Sequence, residues 1–258
     1  MELTASLRKF VMSLSSARRR REESAFIAEG TKCVCDTIDV FSLRYLFATN
    51  GWIDKHSALK DRYADRLIPV SKKDFERISS LSTPSEVLAV YDLPDYQFTA
   101  SVADDELVVA LDGVQDPGNV GTIIRAADWF GVRHIILSED CADAYSPKTV
   151  MATMGAISRV KIMRGNLVEI LNDCYAPIYG TFLDGESIYE TVLSPTGIIV
   201  MGNEGNGISE NISGIVNNRI LIPSYPPDSV TSESLNVGMA TSIVLSEFRR
   251  RLITDLNG

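Results

Sequence analysis

The stretch Leu111-Asp-Gly-Val-Gln-Asp-Pro-Gly-Asn-Val-Gly-Thr-Ile-Ile-Arg125 follows the apolar run Leu107-Val-Val-Ala-Leu111, which reads as a buried strand. The chain breaks on Asp112-Gly113 and Asp116-Pro-Gly118, then places Ile123, Ile124, Ala126, Ala127 and Phe130 at helical spacing. A strand, a polar Pro/Gly turn and a helix N-terminus put backbone N–H groups where a ligand can meet them. Taken alone, the same residues also make an ordinary βα connection. What lies downstream decides between these readings.

Further strands are expected at His134–Leu137, Val160–Met163, Ile178–Leu183, Gly197–Met201 and Arg219–Ile222, with helices from Ser146-Pro147, over Asn166–Asn172 and over Leu235–Leu252. Strands alternating with helices give an α/β fold with a mostly parallel sheet, whose ligands sit beyond the carboxyl ends of the strands. Two further strand ends resemble the first. Met201-Gly-Asn-Glu-Gly-Asn-Gly-Ile-Ser209 places three glycines and a carboxylate after a buried strand, in a spacing that is neither a dinucleotide fingerprint nor a P-loop. Ile222-Pro-Ser-Tyr-Pro-Pro-Asp228 leads to Ser234-Leu-Asn-Val237 at the start of a long helix, where Ser234 fits an N-cap or a pocket residue equally well.

Upstream, a helix is expected over Leu3–Leu14, followed by Arg18-Arg-Arg-Arg21, a strand in Ser24–Gly30 and a helix from Gly30 to Val40. Strand candidates at Tyr45–Thr49, Leu67–Val70 and Val87–Tyr91 alternate with helices such as Ser71–Ile78, giving a small α/β domain over 1–98. Residues 99–105 read as a linker, and 106–258 as the second domain.

The chain has 258 residues, of which 45% are hydrophobic, enough for substantial cores without metal or disulfide support. No apolar run reaches membrane-spanning length and no signal-peptide pattern opens the chain, so cytoplasmic residence is the expectation. Cys33, Cys35, Cys141 and Cys174 form no metal-ligand spacing, and no metal is expected. His56 and His134 leave little room for a histidine-based triad. Net charge is −9, but it is uneven: residues 1–100 carry 15 Lys/Arg against 14 Asp/Glu, and residues 101–258 carry 10 against 20. An RNA partner is therefore judged by local patches, not by the global charge.

Taken together, the three loops resemble the motifs of the SpoU/TrmH branch of the SPOUT superfamily. They are Asp112–Arg125, Val200-Met-Gly-Asn-Glu-Gly205, and Ile222-Pro223 with Ser234-Leu-Asn-Val237, supported by Ser146-Pro-Lys148 and Gly155-Ala156. The resemblance covers about residues 105–252. Arg18–Arg21 and Phe26-Ile-Ala-Glu-Gly30 are similar to the ribosomal-protein-like domain that precedes the catalytic domain in rRNA-directed members. It implies a deep trefoil knot, a homodimer through the catalytic domain with RNA at the subunit interface, and transfer of a methyl group from S-adenosyl-L-methionine (AdoMet) to a ribose 2′-hydroxyl.

By the same resemblance Asn119, Arg125, Glu204, Ser234 and Asn236 are catalytic, while Thr181, Met201, Gly202, Gly205, Ile222, Leu235 and Asn236 surround the cofactor. Arg18, Arg19, Arg20, Arg21 and Lys148 are expected to meet RNA. The chain departs from the pattern at Met151, where many relatives have arginine, and in the long loop Ser224–Glu233. Because guanidinium stays charged, Arg125 reads more readily as a phosphate clamp than as a base. rRNA is the preferred substrate. tRNA remains an alternative, as does a non-catalytic RNA-binding or ribosome-assembly role on the same fold; a dinucleotide-binding oxidoreductase lacks its fingerprint.

Overall fold

The computed structural model describes residues 2–81, 83–226 and 234–255, with backbone only beyond Leu252. In chain order the elements are α1 (Ala5–Ser13), α2 (Ala17–Glu23), β1 (Ala25–Glu29), α3 (Thr31–Thr37), β2 (Leu43–Ala48), α4 (Asn50–Lys55), α5 (Ser57–Arg62), β3 (Leu67–Pro69), α6 (Lys72–Ile78) and β4 (Val87–Asp92). They continue with α7 (Val102–Asp105), β5 (Leu107–Leu111), α8 (Pro117–Trp129), β6 (His134–Leu137), α9 (Pro147–Ala152), β7 (Lys161–Arg164), α10 (Leu167–Asn172), β8 (Ile178–Ser187), β9 (Gly197–Met201), α11 (Glu210–Ser213), β10 (Asn218–Leu221) and α12 (Val237–Asp255). The chain divides into two compact units, Met1–Asp95 with Asp143–Ser158, and Tyr96–Ala142 with Arg159–Gly258.

The first unit is built on a four-stranded sheet in the order β1-β4-β2-β3, with β4 antiparallel to both of its neighbours. Val11, Leu14, Phe47, Phe75 and Leu88 fill its core. The arginine run is helix α2, and it is not uniformly solvated. Arg20 is 2% exposed; its Nη2 and Nε donate to Asp143 Oδ2 at 2.5 and 2.9 Å, and its Nη1 donates to the Leu14 and Ser15 carbonyls at 2.7 and 2.9 Å. A buried guanidinium needs this degree of pairing. Helix α9 packs on β1 in the same unit, and Tyr145 meets Phe26 with ring centroids 4.9 Å apart.

The second unit carries a six-stranded sheet in the order β10-β8-β9-β5-β6-β7, in which every pairing is parallel. Strands β5 and β9 lie side by side at its centre and are buried at every position, which accounts for their unbroken apolar sequences. The stretch expected as a linker is instead partly helical. Helix α7 forms within it because Ala103, fully buried, joins Val108, Ile178 and Ile198 in the second core, with Tyr96 and Phe98 packed alongside. The chain moves outward from β5 through β6 to β7 on one side and returns through β8 and β9 on the other. The carboxyl ends of β5 and β9 therefore form the switch point at which such sheets bind ligands.

Candidate active site

Beyond β5, the chain is held by its own polar groups. Asp112 Oδ2 accepts the Ser209 N–H at 2.7 Å, and Gly113, at φ +68°, donates its N–H to Ser138 Oγ at 2.9 Å. The Ser138 hydroxyl in turn donates to Asp140. Asp116 caps α8 by accepting the Asn119 N–H at 2.9 Å, with Pro117 in the first helical position where a missing donor is harmless. Asn119 thus stands just inside the helix, in its first turn.

The loop after β9 closes on itself. Asn203 and Gly207 exchange backbone hydrogen bonds of 2.9 Å each, and Asn203 Oδ1 accepts the N–H groups of Gly205 and Asn206 at 2.9 and 3.1 Å. Asn203 Nδ2 donates to the Gly113 carbonyl at 2.7 Å, fastening this loop to the one after β5. The glycines do separate jobs. A Cβ on Gly202 would lie 2.3 Å from the Gly207 carbonyl carbon, so Gly202 is required by the loop's own return path; Gly205 is open, its nearest neighbour being Asn203 Oδ1 at 3.5 Å.

The third loop reaches the first through Asn236. Its Oδ1 accepts the N–H groups of Gly238 and Met239 at 3.0 and 3.2 Å, so Asn236, not Ser234, caps α12. Its Nδ2 donates to Asn119 Oδ1 at 2.9 Å, and Asn119 Nδ2 donates to Glu204 Oε1 at 2.5 Å. One polar chain, Asn236 to Asn119 to Glu204, joins all three strand-end loops. Gly238 makes this reach possible: α12 packs on α8, and a Cβ there would stand 3.0 Å from Thr122 Cγ2. Residues 227–233, most of the loop expected over Ser224–Glu233, lie outside the described residues.

Beside this chain lies a cavity of about 810 Å³. Thr181, Met201, Gly202, Gly205, Ile222 and Leu235, assigned to the cofactor by the resemblance, all line it, together with Glu204 and Ser234. Asn236 stands at the polar chain and does not line the cavity. Val237, the last residue of the third motif, also lines it, and Phe182, Leu183, Ile208, Leu221 and Ala240 add apolar wall that no motif signalled. Asp112 and Asn203 carry a signal in the sequence, as Asx residues beside glycine at strand ends, but their role as staples between loops depends on contacts between residues distant in sequence.

Arg125 is exposed on α8 and has no side-chain partner among the described residues. Glu204 holds Asn119 and makes no bond to Arg125. Of the residues expected to meet RNA, Arg20 is excluded by its burial and pairing. Arg18 and Arg19 pair with Glu22, and Arg19 also with Glu23, along the helix; Arg21 is exposed. Lys148 and Met151 are both exposed on α9, in the first unit. Arg249 donates to the Phe130 carbonyl at 2.8 Å, closing the end of α8, while Arg250 and Arg251 pair with Glu247.

All four cysteines are free. Burial pushes the Cys33 thiol up to about 12 and raises that of Cys141, which leaves neither as a nucleophile. Among the described residues no cluster of His, Cys, Asp or Glu is arranged to hold a metal ion.

Comparison with known proteins agrees with this geometry. Residues 106–246 match the model of the SpoU rRNA Methylase family, and residues 8–89 match the MRM3-like substrate binding domain. The 23S rRNA (guanosine(2553)-2′-O)-methyltransferase RlmP of Bacillus subtilis is 30% identical over 184 residues, covering 70% of this chain and 71% of its own. A putative RNA methyltransferase of the TrmH family from Porphyromonas gingivalis superposes with a TM-score of 0.84 at 39% identity, covering 96% of this chain and 99% of its own. An AdoMet-bound rRNA methyltransferase from Sinorhizobium meliloti superposes with a TM-score of 0.85 at 30% identity, covering 98% of each chain. With its three strand-end loops on a parallel sheet and the family model spanning more than half its length, this chain belongs to the SpoU rRNA methylase family.

Proposed function

We propose that the protein transfers a methyl group from AdoMet to a ribose 2′-hydroxyl of ribosomal RNA, and that it works in the cytoplasm as a homodimer. The observation that carries the site assignment is the hydrogen-bonded chain from Asn236 through Asn119 to Glu204, set against a mostly apolar cavity. The cavity fits the cofactor. Its volume of about 810 Å³ lies in the usual range for small-molecule sites, and its wall combines apolar side chains with the open backbone of Gly205. AdoMet supplies a sulfonium-bound methyl group, an activated electrophile.

The chain's own residues have to hold a poor nucleophile in line and ease the loss of its proton. Arg125 is exposed and unpaired among the described residues, which leaves its planar fork of donors open to a phosphate. It grips the phosphate beside the target ribose and stabilises developing negative charge on the 2′-oxygen, while the proton passes to solvent. Both ends of the Asn119 amide are engaged, so its orientation is set before RNA arrives. Glu204 and Asn236 therefore act by holding Asn119. Ser234, exposed at the cavity wall, lies toward the substrate side.

Relatives that methylate rRNA favour rRNA over tRNA as the substrate class. The first unit, with Arg18 and Arg21 exposed, engages that RNA. The catalytic unit takes the trefoil-knot topology expected of the superfamily. No helix among the described residues is long and apolar enough to cross a membrane. Trp129 on α8 is 85% exposed and Met239 on α12 is 59% exposed; a second copy of the chain is the occupant that covers these two packed helices. Incubation with tritiated AdoMet and separated rRNA and tRNA tests the assignment: label is expected in rRNA, and label confined to tRNA would overturn the substrate class.

A further inference from the structure

Between Gly180 and Glu186, strand β8 leaves the sheet. Its pairing with β10 steps from Gly180↔Arg219 directly to Glu186↔Ile220, so residues 181–185 have no partner on β10. Thr181, Phe182 and Leu183 within this excursion line the cavity. Its neck is tight: a Cβ on Gly185 would stand 2.6 Å from the Ile220 carbonyl carbon, and one on Gly180 would stand 2.7 Å from the Phe182 ring.

Beyond the neck, Arg219 ties the excursion down, beside the packing of Phe182 on the second core. The Arg219 guanidinium carbon lies 3.5 Å from the centroid of the Phe182 ring. Its Nη2 donates to Asp184 Oδ1 at 2.5 Å and its Nη1 to Ser213 Oγ at 3.0 Å. The guanidinium holds the Asp184 carboxyl below the usual carboxylate range, first through this hydrogen bond. An ion pair as open as this one, 38% and 74% exposed, contributes little to global stability. Its effect is local, on residues that have no ladder partner on β10. Leu183 and Leu235 are 81% and 44% exposed and both line the cavity, a pair of apolar surfaces that a planar base would cover.

We propose that Arg219 is a positioning residue for the cofactor: by stacking on Phe182 and pairing with Asp184, it fixes residues 181–185 as the wall against which the adenine of AdoMet is held. The proposal rests on the reading of the cavity as the cofactor site. Without the clip, the outer part of the wall loses a restraint, and affinity falls by the free energy of ordering it when the ligand arrives.

Calorimetric titration with AdoMet and with S-adenosylhomocysteine tests this in the wild type, Arg219→Ala, Arg219→Lys and Asp184→Asn. Arg219→Ala is expected to weaken both ligands about tenfold, with KM for AdoMet rising in parallel while kcat and KM for RNA stay within about twofold. Arg219→Lys keeps a charge for Asp184 but loses the planar stack, and falls between the two. Affinity within about twofold of wild type in Arg219→Ala, at unchanged melting temperature, overturns the proposal. Should Arg219→Ala fail to fold, unchanged affinity in both Arg219→Lys and Asp184→Asn overturns it. A wild-type protein that binds neither ligand overturns the cofactor site itself, and the proposal with it.

Discussion

Asn119 donates an amide hydrogen to Glu204 at 2.5 Å, joining the first turn of α8 to the loop beyond β9 across 85 residues of sequence. Replacing Asn119 by Asp removes that donor and sets a second carboxylate against Glu204. The turnover of Asn119→Asp is expected to fall by about 10²–10³, the usual loss for a misplaced polar group at a reacting centre. AdoMet affinity should stay within about threefold, because Asn119 does not line the cavity. Single-turnover kinetics alongside calorimetry separate the two quantities. Near-wild-type turnover would remove Asn119 from the site.

Gly202 and Gly205 sit in one loop but are predicted to behave differently. In Gly202→Ala the new methyl group would lie 2.3 Å from Gly207 and 2.4 Å from Ile208, so the loop must open. Stability is expected to fall by about 1–3 kcal/mol, with AdoMet binding lost. Gly205→Ala meets nothing closer than 3.5 Å in the protein, so any loss of affinity there reports contact with the ligand. Urea unfolding and calorimetry on both variants make the comparison. Equal effects at the two positions would contradict the loop's geometry.

The arginine run should split by residue. Arg20→Ala leaves the Leu14 and Ser15 carbonyls and Asp143 Oδ2 without this donor, although Asp143 is 31% exposed and still accepts the Tyr145 N–H, and is expected to lose about 1–3 kcal/mol of stability. Arg18→Gln and Arg21→Gln should change stability by no more than about 0.5 kcal/mol. The same two variants should weaken RNA binding and flatten its salt dependence. Denaturant titration and filter binding at several salt concentrations read the difference. An Arg20→Ala protein as stable as wild type would contradict the pairing.

Glu247 gives a pH signature. Its side chain is 5% exposed, and its carboxyl is held below the usual range first by the hydrogen bond from Arg250, then by that from Arg251. A depressed carboxyl stabilises the fold above its unfolded value of about 4.3, and that contribution disappears as pH falls through the folded value. The melting temperature of the wild type should therefore exceed that of Glu247→Gln at pH 7, with the gap closing toward pH 3. A gap that widens on acidification would show that the sign is wrong.

The centre of the fold was legible because β5 and β9 are unbroken apolar pentads, a pattern that survives only where both faces are buried. The loops after them were legible because glycine beside Asp or Asn at a strand end has few other uses. Arg20 was not separable from Arg18, Arg19 and Arg21, since its burial depends on which side of α2 faces inward and on a carboxylate 123 residues away. Ser234 and Asn236 are both good cap residues, and only the path of the chain into α12 chose between them. The excursion in β8 left no trace, because Thr181-Phe-Leu183 continues an apolar run that reads as strand.

The most direct measurement is the chemical identity of the product. Ribosomal RNA labelled from tritiated AdoMet by the wild type and by Arg125→Lys would be digested to nucleosides and separated. The account predicts label in a 2′-O-methylated nucleoside with wild type and nearly none with Arg125→Lys, whose AdoMet affinity stays near normal. Label on a base, or undiminished 2′-O-methylation by Arg125→Lys, would contradict it.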